Sequence, residues 1–274
     1  MTIQQWLTHT IATLNEAGIE TARLDSLVLL SDELGRDKSW VLAHPEHILQ
    51  RSEIKNLNTK ITQRIQHTPL AYLRGRAEFY GREFIINEHV LVPRPESEAM
   101  IELLKRNIPK NYDGVIVDIG TGSGALGITA ALEFPTAQVY ASDIDPRVLL
   151  VARNNATQLH AAITFLSGNL LDAFRHKTSV LQNAILLTNL PYVADGYPIN
   201  TAATHEPPLA IFGGSDGLML YRTLCAQLTV LNTKPSVIVT ESLCMQHEKI
   251  AQLMNTVSYT LRSSDGLAQY FVYN

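Results

Sequence analysis

Gly114-Val115-Ile116-Val117-Asp118-Ile119-Gly120-Thr121-Gly122-Ser123-Gly124 decides the fold. An apolar, β-branched run breaks into three glycines, and an alanine-rich stretch follows, so the segment reads as strand, tight loop and helix. Glycines at alternate positions let the backbone approach a ligand where any Cβ would collide, and the helix behind them offers unpaired N–H groups. The pattern predicts a loop for a nucleotide-like cofactor.

The next expected strand, Gln138 to Ser142, ends in Asp143, about twenty residues beyond the loop, where a carboxylate can accept both hydroxyls of a ribose. A dinucleotide fingerprint would read G-x-G-x-x-G. Asp118 to Gly124 instead resembles the acidic-x-G-x-G loop of class I methyltransferases, and that resemblance makes S-adenosylmethionine the expected cofactor. The competing reading is a glycine-rich turn with no ligand, and the placement of Asp143 weighs against it.

Outside the loop the composition is ordinary. At 274 residues the chain suits one large or two modest domains with real cores. A formal net charge of −4 argues against a broad electrostatic footprint, so no direct nucleic-acid partner is expected. Cys225 and Cys244 lie far apart in apolar stretches; both are expected to be buried, reduced thiols, with no disulfide and no metal site. Nothing at the N-terminus reads as a basic region, apolar core and cleavage site, and no apolar run approaches about eighteen residues. A cytoplasmic protein, not associated with membranes and monomeric, is expected.

The N-terminal third has helical spacing. Residues 2 to 17 place Ile3, Trp6, Leu7, Ile11 and Leu14 on one face, with Thr2 as N-cap and Gly18 as stop. A second helix from Thr21 carries Leu24, Leu27, Val28, Leu30 and Leu34 before Gly35; a short third spans Ser39 to Ala43, and a fourth, Ser52 to Gln66, repeats Ile54, Leu57, Ile61 and Ile65. Residues 1–68 therefore form a small helical bundle, either a packing domain or a docking platform for a macromolecular substrate. Residues 69–92, with aromatic and β-branched side chains around Gly81, are expected to be a hairpin linker.

From residue 93 to 274 strands and helices alternate: strand 138–142, helix 146–159, strands 163–166 and 184–188, helix 217–230, strand 236–240, and two final strands, 258–261 and 269–272, as an antiparallel edge. This predicts a doubly wound α/β domain with a Rossmann-like parallel sheet. Val92-Pro93-Arg94-Pro95-Glu96-Ser97-Glu98 reads as a rigid turn opening a helix, where Arg94 either contacts substrate or caps the corner.

The strand 184–188 ends in Asn189-Leu190-Pro191-Tyr192, at the edge where open α/β sheets bind ligands. An amide or amino nitrogen is a poor nucleophile because its lone pair is delocalised, so positioning must carry the chemistry. The Asn189 side-chain oxygen and the Leu190 carbonyl can accept the two N–H bonds of a substrate NH2, aim its nitrogen at a methyl donor, and stabilise positive charge as it pyramidalises. Pro191 fixes the turn, and Tyr192 supplies a wall for a planar group. No metal is required.

Taken together, these residues resemble the protein-(glutamine-N5) methyltransferase family of the HemK/PrmC type over nearly the whole chain. The resemblance rests on Ala22-Arg23-Leu24-Asp25-Ser26, Pro69 to Gly75, Glu78-Phe79-Tyr80-Gly81, Val92 to Glu98, the glycine loop, Asn189 to Tyr192, and His205-Glu206-Pro207 with Phe212-Gly213-Gly214-Ser215-Asp216-Gly217-Leu218. It implies a class I S-adenosylmethionine-dependent methyltransferase domain behind a helical bundle that helps to bind the substrate. That substrate is the glutamine of the Gly-Gly-Gln motif in class I peptide-chain release factors. It further implies that Gly120, Thr121, Gly122, Ser123, Gly124, Asp143, Asn169, Leu170 and Asn189 hold the cofactor. Asn189, Leu190, Pro191, Tyr192 and Arg94 would hold the substrate, and Asn189, Pro191 and Tyr192 would serve catalysis.

The chain departs from that family at Leu190, where proline is usual, at Asn169, where an acid is common, at Gln269, where arginine is expected, and in the Glu241 strand, which lacks the usual glycine. Asn-Leu-Pro-Tyr is also the motif of ribosomal RNA adenine-N6 methyltransferases, which the acidic charge and the leading helical domain disfavour. A ribosomal-protein glutamine methyltransferase would share the core motifs, and a non-catalytic S-adenosylmethionine-binding module would share the cofactor loop.

Overall fold

The chain divides into two units, Met1–Arg76 with Ile199–His205 and Ala77–Pro198 with Glu206–Asn274, in a computed structural model that describes residues 1–274. The first unit carries α1 (Ile3–Glu16), α2 (Ala22–Leu34), α3 (Lys38–Ala43), α4 (Arg51–Ile65) and α5 (Leu70–Arg74). Thr2 and Gln5 form a reciprocal capping box that starts α1. Trp6, Leu14, Leu29, Leu30 and Leu57 fill the core.

Leu24, expected on the apolar face of α2, is exposed. Leu27 and Leu30 are buried as expected, joined by Ala22, Asp25, Ser26 and Leu29, and Asp25 enters the stripe because Arg64 Nε meets its carboxylate at 2.7 Å. A buried charge is tolerable only with such a partner. Burial raises the Asp32 carboxyl, but hydrogen bonds from Arg74 and Arg76 outweigh it and hold the group below the usual range. Those two arginines stand at the end of α5 and just beyond it, so a helix opens the stretch 69–92 before any hairpin begins.

The hairpin consists of β1 (Arg76–Phe79) and β2 (Arg82–Ile85). Tyr80 and Gly81 at its tip have φ of 52° and 68°, the two positive values that a type I′ turn demands. Next come α6 (Glu98–Asn107), β3 (Val115–Ile119), α7 (Ala125–Glu133), β4 (Gln138–Asp143), α8 (Pro146–Gln158), β5 (Ile163–Ser167) and β6 (Ile185–Thr188). The chain ends with α9 (Met219–Val230), β7 (Val237–Glu241), α10 (His247–Thr256), β8 (Tyr259–Asp265) and β9 (Ala268–Tyr273).

Seven strands form one sheet in the order β5-β4-β3-β6-β7-β9-β8. The first five run parallel, and β9 is antiparallel to both of its neighbours. Buried on every residue, β6 and β7 read as apolar runs because helices cover both faces. The strand order reverses between β3 and β6, and such a switch opens a crevice at the carboxyl edge.

Register then fixes the site. Asp118 stands opposite Leu187, so Gly120 and Asn189 leave the sheet side by side. Ile119 stands opposite Ser142, which sets Asp143 next to Gly120.

Two sequence expectations fail here. Helix α10 has no counterpart among the expected elements, because it buries only Ile250 and Met254. Cys244 is free but exposed, since it sits in the turn after β7 beside the exposed Met245. Cys225 is buried, and burial pushes its thiol up to about 11. No helix is long and apolar enough to cross a membrane.

Candidate active site

The glycine loop is built to bend. Gly120, Gly122 and Gly124 have φ of 72°, 57° and 86°, a region that side-chain-bearing residues rarely enter. The backbone N–H groups of Gly120 and Thr121 both donate to the Ser142 carbonyl at 2.9 Å. Asp118, buried at the end of β3, anchors the far side: its Oδ2 accepts from the Thr121 hydroxyl at 2.6 Å and the Gly127 N–H at 2.9 Å. Burial pushes its carboxyl up to about 6, although those two donors oppose the rise. A Cβ on Gly124 would stand 2.8 Å from Ile128 Cδ1, so this glycine packs the loop against α7 and α8 and does not line the cavity beyond it.

Asp143 closes the loop from β4. Its Oδ2 accepts from the Gly122 N–H and its Oδ1 from the Asp145 N–H, each at 3.1 Å. Burial raises this carboxyl too. Gly120 to Ser123, Asp143, and Asn169 with Leu170 line one side of a cavity of about 600 Å³. Leu170 holds a left-handed φ of 51° just after Gly168, whose Cβ would collide with the Ala173 backbone at 2.6 Å. Such local strain persists only where the surroundings over-determine it.

Asn189, Leu190, Pro191 and Arg94 line the other side. The Asn189 amide nitrogen donates to the Ser97 hydroxyl at 2.9 Å. Tyr221, wholly buried, joins the strand ends: its hydroxyl lies 2.6 Å from the Glu241 carbonyl and 3.1 Å from that of Thr188, and the Leu190 backbone hydrogen-bonds back to it. The 189–192 turn is braced by Phe212 to Gly217. Val193 N–H donates to the Ile211 carbonyl at 3.0 Å and Gly213 N–H to the Val193 carbonyl at 2.8 Å. A Cβ on Gly213 would sit 2.3 Å from the Pro191 carbonyl, so only glycine permits this approach.

Two predicted site residues behave differently from the sequence reading. Tyr192 does not line the cavity; its hydroxyl points to Glu241 Oε1 at 3.1 Å, and burial raises its pKa. Arg94 lines the cavity, but its guanidinium is committed to Glu206, whose other oxygen accepts from the Val92 N–H at 2.9 Å.

Comparison with known proteins matches two stretches of the chain to family models. Residues 5–75 match the family model "PrmC N-terminal domain", and residues 97–205 match "Methyltransferase small domain". A release factor glutamine methyltransferase from Koribacter versatilis is 33% identical over 231 residues, covering 83% of this chain and 81% of that protein. The chain belongs to the release factor glutamine methyltransferase family. Another protein of that name, from Enterococcus faecalis, is 38% identical over 195 residues, covering 69% of this chain and 68% of its own length. Among solved structures, the T. thermophilus 16S rRNA N2 G1207 methyltransferase, in complex with AdoMet and guanosine, aligns with a TM-score of 0.51 and 16% identity, over 73% of this chain and 50% of that one. That likeness is one of fold, the α/β fold of class I methyltransferases.

Within this glutamine methyltransferase the sequence reading missed three groups that touch the predicted site. Ser97 lines the cavity and carries the Asn189 bond. Glu241 is buried and carries the Tyr192 bond. Glu206 holds Arg94. The available signals were an acid closing the apolar run Val237 to Thr240 and a second acid just before Pro207; Ser97, a small residue in a polar turn, gave none.

Proposed function

We propose that the chain transfers a methyl group from S-adenosylmethionine to the side-chain amide nitrogen of the glutamine in the Gly-Gly-Gln motif of class I peptide-chain release factors. The observation that carries this reading is Asn189 itself. Its nitrogen is occupied by Ser97, which leaves its oxygen as the acceptor offered to the cavity that the glycine loop also lines.

The residues present fit the cofactor. Gly120 and Gly122 put Cβ-free backbone on the cavity wall, Asp143 sets a carboxylate there for ribose hydroxyls, and Asn169 stands in position for an adenine amino group through its side-chain oxygen. When bound, S-adenosylmethionine supplies a methyl group activated by its sulfonium charge. The protein binds, aligns and neutralises. Asn189 Oδ1 and the Leu190 carbonyl accept hydrogen bonds from the two amide N–H groups, hold the nitrogen in line, and stabilise the charge that grows on it. Leu190 replaces a proline ring with packing, its Cδ2 lying 3.3 Å from where a Gly120 Cβ would be. Apolar Pro207 and Pro208 line the cavity and help exclude water. Tyr192 acts through Glu241, and Arg94 through its bond to Glu206, as supports of the substrate side.

The helical part, residues 1–68, docks the release factor, the hairpin segment 69–92 links, and 93–274 performs transfer; the chain works as a monomer in the cytoplasm. Deleting residues 1–68 should raise KM for the release factor far more than it weakens cofactor binding. A folded truncation with unchanged KM would leave the bundle as packing alone.

The test of the main reading is methyl transfer from labelled S-adenosylmethionine to recombinant class I release factor, with 30S ribosomal subunits in parallel. Label on the release factor supports it. Label on ribosomal RNA or a ribosomal protein alone would replace it.

A further inference from the structure

The Asn189 side chain can present either of two atoms to the cavity, and only its oxygen can accept a substrate N–H. Something must decide which. Ser97 cannot decide alone, because a hydroxyl both donates and accepts. Behind it lies Glu241, buried at the end of β7. A carboxylate is acceptor-only when ionised. Burial raises the Glu241 carboxyl, while hydrogen bonds from Ser97, Tyr192 and Asn189 pull it back. Tyr192 donates to Oε1 at 3.1 Å, and the buried Oε2 is left without a donor of its own, so this oxygen is open to the Ser97 proton. With that proton committed to Glu241, the Ser97 oxygen is left as acceptor and takes Asn189 Nδ2–H at 2.9 Å.

We propose that Glu241 and Ser97 are positioning residues that set the direction of this hydrogen-bond chain and thereby lock Asn189 with its oxygen toward the substrate amide. The proposal rests on the reading that Asn189 receives that amide. Neither residue touches the reacting atoms. A structural role would show in stability and in cofactor affinity; an orienting role shows in kcat and only while Asn189 is present.

The full-length protein is assayed for methyl transfer to recombinant release factor, with cofactor Kd by calorimetry. Ser97→Ala should lower kcat about tenfold and leave cofactor Kd within about twofold; Ser97→Thr, which restores the hydroxyl, should recover most of the loss. Glu241→Gln, whose amide can donate to Ser97 and reverse the chain, should also lower kcat. In the Asn189→Ala background, Ser97→Ala should add nothing. A Ser97→Ala loss of equal size in both backgrounds, or no loss in either, would overturn the proposal. The Asn189 side-chain amide protons in 15N-labelled protein, identified by their disappearance in Asn189→Ala, give a readout independent of turnover. One of them should exchange slowly in the wild type and fast in Ser97→Ala and Glu241→Gln, and equal exchange in all three would also overturn it. Wild-type protein that labels no release factor but shows the protected proton would refute the functional reading and leave the orienting chain standing.

Discussion

The Gly122 backbone N–H donates to Asp143 Oδ2 at 3.1 Å, which ties the middle of the glycine loop to the end of β4. The same carboxylate lines the cavity, so it shapes the loop and, in the proposed function, accepts the ribose hydroxyls. Asp143→Ala should weaken S-adenosylmethionine binding by more than tenfold, about 1.4 kcal/mol or above. Calorimetric affinity equal to that of the wild type would remove Asp143 from the cofactor site.

In the proposed function Asn189 acts at the reacting end. Asn189→Ala should leave cofactor affinity within about twofold and cut kcat by about a hundredfold, because the contacts it loses strengthen in the transition state. Equal losses in cofactor affinity and turnover would make the residue structural.

How far the sequence reveals this site depends on which property places each residue. Val115 to Gly124 and Gln138 to Asp143 announce themselves because buried parallel strands are continuous apolar runs and a glycine loop breaks them sharply. Asn189 follows from its place just past the end of such a strand, the carboxyl edge where open α/β sheets bind ligands. Tyr192 reads as a cavity wall because an aromatic after a strand end faces either way; the Glu241 carboxylate across the sheet edge decides it, and that pairing spans separate elements. The Asn189 bond to Ser97 likewise joins residues 92 apart, a relation that local spacing cannot encode. Helix α10 and the exposed Leu24 and Cys244 escape the pattern for a related reason, since tertiary packing sets which face a thinly apolar stretch buries.

Stability should carry the signature of Asp118. Its carboxyl is pushed from 3.8 up to about 6, so ionisation costs more in the folded state than in the unfolded chain. Its contribution is therefore complete below about pH 4 and is lost as pH rises through about 6, on the order of 3 kcal/mol in all. Asp118→Asn keeps an oxygen for Thr121 and Gly127 and should flatten that part of the profile. Urea unfolding at several pH values between about 4 and 7 checks it; parallel curves for the two proteins would assign the slope elsewhere.

Backbone contact behind the Asn189 turn gives a fourth expectation. Gly213→Ala would set a Cβ 2.3 Å from the Pro191 carbonyl, costing about 1–3 kcal/mol and displacing the turn, so kcat/KM should fall at least about tenfold. Gly196→Ala meets nothing within 4 Å but holds φ +75°, and should cost about 1–2 kcal/mol in stability with activity retained. Equal activity in the two variants would show that the 213–217 brace does not hold the site.

The central claim is that Asn189 directs a methyl group onto one glutamine side chain. After reaction of wild-type enzyme, release factor and S-adenosylmethionine, peptide mass spectrometry should find a single added methyl on the glutamine of the Gly-Gly-Gln motif, and the Asn189→Ala enzyme should leave that peptide almost wholly unmodified over the same period. A methyl group on any other residue, or equal modification by the two enzymes, would contradict it.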